Sequence, residues 1–137
     1  MKNINIKLFL IILSGSFYSV SSLANNNMGE WKPQIVEKMY ILPPKHLNKV
    51  LNNDFNKSLL ALNLKNTDNK IKDKIQKISE LNSLLPGTSN EESLEIKHQI
   101  IINKKNYIKD MNDFLIMKKQ KLNTKKIFFK KIQKNIK

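Results

Sequence analysis

The sequence contains no cysteine and no arginine. Without cysteine there is no disulfide framework, no thiolate metal site and no thiol redox chemistry. Without arginine there is no fixed guanidinium fork for bidentate recognition of bases, so nucleic-acid recognition is disfavoured. Acidic residues are few, 11 against 25 basic ones. Beyond Asp113 there are none. Glycine is scarce, and neither glycine nor proline occurs after Gly87. Nothing in the composition interrupts a helix over the last third of the chain. With only two histidines, His46 and His98, imidazole-based chemistry has little to draw on. No glycine-rich phosphate loop, nucleophile elbow or paired-carboxylate cleft is present. The chain is expected not to be an enzyme, and no cofactor or metal is implied.

What is present begins with residues 1–24, which read as a secretory signal. Lys2 and Lys7 supply the charged start, Ile6 to Leu13 the apolar run, and Ser22 and Ala24 the small residues ahead of a cleavage site. The expected location is the exterior of the cytoplasm, with the periplasm first. An uncleaved anchor is the alternative reading, against which the run is short of the ~20 apolar residues a span requires. The mature chain would start at Asn25.

Residues 25–43 form a second region, expected to be extended and irregular because Gly29, Pro33 and Pro43 punctuate it. Its aromatic and branched residues Trp31, Ile35, Tyr40 and Ile41 are candidates for docking on a partner, by strand addition to a sheet edge, or for folding back on the rest of the chain.

From Pro44 the pattern is helical. Leu47, Leu51, Phe55, Leu59 and Leu62 recur at steps of three and four, and Ile71, Ile75, Ile78, Leu81 and Leu85 continue the series past a polar patch at Asn66–Asn69, a candidate bend or interruption of the helix. Pro86-Gly87 ends this arm. Ser89 followed by Glu92 is a capping-box spacing that opens a second arm. Within it Leu94, Ile101, Ile108, Leu115, Leu122 and Phe129 recur every seven residues. A strict seven-residue repeat implies left-handed supercoiling against a partner helix. Lys97, Lys104, Lys118 and Lys125 stand three residues after members of this stripe, which argues against a symmetric zipper of identical parallel helices. The expected fold is all-α: a long antiparallel, coiled-coil-like helical hairpin over residues 44–137, turning near 86–90, with the seven-residue stripe as its seam. Ile100, Tyr107, Met111 and Phe114 flank that stripe and are expected to mediate self-association or binding of a protein partner.

Charge is distributed unevenly along such a hairpin. Residues 63–113 carry nine lysines and eight acids, whereas residues 114–137 carry nine lysines and no acid. A solvated helix face mixes both signs. Lys118, Lys119, Lys125, Lys126, Lys130, Lys131 and Lys134 therefore read as a surface for an anionic partner, with an acidic membrane surface among the candidates. Glu95 and His98 have a Glu-x-x-His spacing, but one copy with only Glu80 as a neighbour falls short of a di-metal site.

The expected function is a non-enzymatic binding or scaffold component of the cell envelope. In composition and outline, a small exported lysine-rich helical hairpin is also similar to the periplasmic Skp-like chaperones. That resemblance implies a holdase role as the alternative. The strand region through which those chaperones trimerise has no counterpart in these residues, and the Leu-Thr-x-x-Gln signature of Spy-like chaperones is absent.

Overall fold

The computed structural model describes residues 28–135. The expected signal segment 1–24 lies outside them. The described residues are all-α, with no strand: a 3-10 turn at Glu37–Ile41, then α1 (Pro44–Asn56), α2 (Leu59–Leu84) and α3 (Asn90–Asn135).

Pro44 occupies the first turn of α1, where its missing N–H is not needed. Leu47, Leu51 and Phe55 lie four residues apart on one face and are all buried. The chain breaks at Lys57-Ser58, not at the polar Asn66–Asn69 patch, through which α2 runs without interruption. Ser58 explains the break. Its backbone is extended, and its hydroxyl accepts from the Ala61 N–H at 3.2 Å while donating to the Phe55 carbonyl at 2.6 Å. One side chain thus closes α1 and caps α2.

The break also shifts the apolar register. Leu59 and Leu62, expected to continue the α1 stripe, are exposed (55% and 53%), and the fully buried residue is Leu60. Ile71 and Leu81 continue the buried face of α2, and Ile75 turns outward.

A tight turn, with Gly87 at φ +106°, separates α2 from α3. Ser89 and Glu92 form the capping box: the Ser89 N–H and hydroxyl both donate to the Glu92 carboxylate (3.2 and 2.9 Å), and the Glu92 N–H approaches the Ser89 hydroxyl at 3.4 Å. Those bonds stabilise the ionised form and hold the Glu92 carboxyl below its usual pKa.

The helices α2 and α3 pack on each other. Lys74 meets Asp110, Lys121 lies over Phe55, Lys125 reaches Asn52, and Asn135 reaches Tyr40. Contacts climb one arm as they descend the other. The face α3 turns inward carries Ile100, Met117, Phe128 and Ile132, all buried, with Ile96, Tyr107 and Phe114 partly so.

This corrects the expected seam. Leu94, Ile101, Ile108, Leu115 and Leu122 are exposed by 71, 63, 66, 56 and 65%, and only Phe129 of that series packs against the core. The buried series stands one residue earlier, a rotation of about 100° on the helix. The cause lies in the companion positions. Three residues beyond the seven-residue stripe stand Lys97, Lys104, Lys118 and Lys125, whose ammonium groups cannot be buried unpaired. Three residues beyond Ile100, Tyr107 and Phe114 stand Asn103, half-buried and bonded to the Gln99 carbonyl, Asp110, paired with Lys74, and the apolar Met117. Ile100, Tyr107, Met111 and Phe114, read from the sequence as a flank for partners, thus belong to the inner side or its edge; all four are buried or half-buried.

Candidate functional site

The largest core lies at the end of the molecule away from the turn. Trp31, Leu47, Leu51, Phe55, Leu60, Met117, Phe128 and Ile132 form one buried cluster, drawing on α1, both long helices and the N-terminal segment. Trp31 is its keystone. The indole is 3% exposed, meets Phe55 edge to face at 4.9 Å, and donates to the Asp54 carboxylate at 2.7 Å. Its polar N–H is thereby satisfied at the cluster's edge.

The segment before α1 thus folds back on its own chain. The Met28 carbonyl accepts from Asn63 at 2.9 Å, and the Gly29 carbonyl from Gln120 at 3.3 Å. Gly29 is required there: its φ is +78°, and a Cβ would stand 2.9 Å from the Leu59 side chain. Of the residues expected to dock on a partner, Trp31 is buried in the chain's own core, with Ile35 and Tyr40 packed against it, so they are withdrawn as docking residues. Only Ile41, 84% exposed, is presented outward. No strand forms in this segment. Its prolines and the 3-10 turn, closed by the Met39 N–H to the Val36 carbonyl at 2.8 Å, bend it around the helices.

Around this core lie the lysines of the last 24 residues, and the structure divides them. Lys118 sits over the Phe114 ring at 4.6 Å, and Lys125 donates to Asn48 and Asn52 at 3.2 and 2.6 Å. Lys121, which the sequence did not single out, extends across the Phe55 ring at 4.0 Å. Burial lowers the pKa of its ammonium, and the positive charges of Lys125 and Lys118 lower it further. A lysine placed over an aromatic face covers apolar surface with its stem while the ring attracts the charge. Its signal in the sequence was its place in the Ile100, Tyr107, Phe114, Phe128 series.

Lys119, Lys126, Lys130, Lys131 and Lys134 stay exposed. Among the described residues none of them, nor Lys118 or Lys125, pairs with a carboxylate; the three ion pairs are Lys32–Glu30, Lys72–Asp68 and Lys74–Asp110. Lys131 also borders an open groove of about 500 Å³ with Glu30, Trp31, Lys32, Thr124 and Ile127 on its walls.

The other candidates are dispersed. Glu95 accepts from Gln99 at 3.2 Å and Glu80 from Gln76 at 2.9 Å, each within its own helix, and His98 is exposed. No group of three or more metal-ligating side chains assembles among the described residues. Comparison of the chain with protein-family models, with curated proteins and with solved structures finds no match.

Proposed function

We propose that this chain is a small exported helical-hairpin protein that acts without catalysis as a binding or scaffold component of the cell envelope, holding an anionic partner at its lysine-rich open end. One observation carries the reading. Five lysines (Lys119, Lys126, Lys130, Lys131 and Lys134) project from the last turns of α3, and among the described residues none of them forms an ion pair with a carboxylate. The core beneath them holds the helix that displays them, because Phe128 and Ile132 anchor it against Trp31, Leu47 and Leu51. Lysine suits this role: it acts as a mobile point charge toward any anion and demands no planar geometry.

The test is a titration with polyphosphate as a soluble anion. The protein binds it with an affinity that falls steeply as salt rises, since exposed charges are screened over roughly 8 Å at physiological ionic strength. Replacing the five exposed lysines by glutamine abolishes the binding and leaves helicity unchanged. Binding that survives that replacement would show the lysines to be only a solvated helix face.

A further inference from the structure

The outward stripe of α3 packs little on the rest of the chain, with Ile108 bordering a shallow apolar groove beside Ile75 and Ile78 of α2. Leu94, Ile101, Ile108, Leu115 and Leu122 are each more than half exposed, and Ile102 and Ile116 (45% and 46%) widen the stripe on one side. The series covers about 42 Å of helix at 1.5 Å per residue. On a straight helix its members drift by about 20° per heptad, so five of them stay within a sector of roughly 80°. A flat surface meets all of them at once without supercoiling.

From residue 97 onward the flanks of the stripe are uniform in charge, whereas Glu91 and Glu95 stand beside Leu94. On one side run Lys97, Lys104 and Lys118, with Lys125 beyond them bonded to Asn48 and Asn52 of α1, and on the other Lys105, Lys119 and Lys126, with no acidic residue among the flanking positions from 97 to 126. The acids of the second half of α3 are elsewhere: Asp110 is half-buried beside Lys74, and Asp113 is half-buried on the inner side. A second copy of this chain laid on the stripe would bring six exposed lysines against six. An apolar line edged by lysines on both sides matches instead a layer whose headgroups are negative and whose interior is apolar. Lysine stems lie along the apolar boundary while the ammonium groups turn outward to phosphate. No helix among the described residues is long and apolar enough to cross a membrane, so the contact lies along the surface.

We infer that the outer face of α3, from Leu94 to Leu122, is a docking surface for an anionic phospholipid bilayer, with the helix parallel to the membrane plane. This deepens the preceding reading and rests on it for the long-range attraction, while the stripe supplies the apolar insertion. Attraction by charge alone disappears at high salt; insertion leaves a residue of binding that salt does not remove.

The experiment is vesicle co-sedimentation of the protein, with vesicles of phosphatidylcholine alone and with added phosphatidylglycerol, at low and high salt. It is repeated with the triple variant Ile101→Gln, Ile108→Gln, Leu115→Gln, whose sites are exposed and whose helicity is checked by circular dichroism. The wild type binds the phosphatidylglycerol vesicles and retains part of that binding at high salt. The triple variant partitions on the order of a hundredfold more weakly, as expected for removing three apolar contacts, and binds polyphosphate as the wild type does. If the variant binds vesicles as tightly as the wild type, the stripe is not the docking surface. If the wild type binds polyphosphate but not the vesicles, the bilayer is the wrong partner while the lysine-rich end keeps its role. If the lipid-free protein sediments as a dimer that the triple variant dissolves, the occupant is a second copy and the inference is overturned.

Discussion

The two ends of the molecule are built differently. At the open end four segments converge: the N-terminal strap, α1, the start of α2 and the end of α3, enclosing Trp31, Phe55, Leu60, Met117 and Phe128. At the turn end only two helices meet, and their buried residues are few, with Ile71, Leu81 and Ile100 the most enclosed. The charge runs in parallel with the packing. The thick end carries the acid-free run of lysines from 114 to 137, and the slim end mixes both signs. A helix that must display many like charges repels itself, and the larger core sits where that repulsion is greatest.

The difference predicts unequal sensitivity to truncation. Trp31→Ala removes the side chain at the centre of the open-end cluster and is expected to cost about 3–5 kcal/mol, whereas Leu81→Ala falls near 2 kcal/mol, the lower part of the range for buried aliphatics. Urea unfolding of both variants checks this, and equal costs would break the comparison.

Neighbouring residues of α3 sharpen it. Ile100→Ala is expected to cost about 2–3 kcal/mol and Ile101→Ala less than about 0.5 kcal/mol, because the first is 6% and the second 63% exposed. The reverse order would restore the seven-residue stripe as the seam.

Midway between the two ends lies the Lys74–Asp110 pair, 3.7 Å apart and mostly shielded from solvent, with side chains 27% and 19% exposed. That separation is too long for a hydrogen bond, and the buried Asp110 oxygen makes none. Lys74→Met strands a shielded carboxylate and is expected to cost roughly 1–3 kcal/mol. Adding Asp110→Leu should recover most of the loss. A double variant no better than the single would show the pair to be a net contributor.

The smallest effect is at the capping box. The Glu92 pKa is lowered in the folded chain by hydrogen bonds from the Ser89 N–H and hydroxyl. A depressed carboxyl contributes stability that is present above its unfolded pKa and lost as pH falls through the lower folded value. Ser89→Ala is expected to move the Glu92 titration up toward the usual carboxylate range, read by NMR, and to fray the first turn of α3 without disturbing Phe128 or Trp31 at the far end.

Much of the slim end was legible in the sequence. Pro86-Gly87, the Ser89–Glu92 spacing and the absence of later breakers placed the turn and the start of α3, because those signals are local. The thick end was less legible. The break at Ser58 depends on a single hydroxyl bonding in two directions, and the polar Asn66–Asn69 patch looked like the better interruption. The seam was misplaced by one residue. The seven-residue repeat is the most regular pattern in the chain, yet regularity does not say which face packs inward. The lysines three residues beyond it, already visible in the sequence, exclude it from a buried seam. Trp31 is among the residues that the sequence expects to dock on a partner or fold back, but nothing local to it names Asp54 and Phe55 as its cover.

The central claim is that the most regular apolar line of α3 faces outward to a membrane surface. Since the chain has no cysteine, single cysteines at Ile101, Ile108, Leu115 and Asn106 can each carry one spin label. Their accessibility to oxygen and to a water-soluble relaxation agent is then measured on phosphatidylglycerol-containing vesicles. The account predicts that labels at 101, 108 and 115 gain oxygen access and lose contact with the aqueous agent, while the label at 106, on the opposite side of the helix, remains in water. Labels at 101, 108 and 115 that stay as water-accessible as the one at 106 would contradict it.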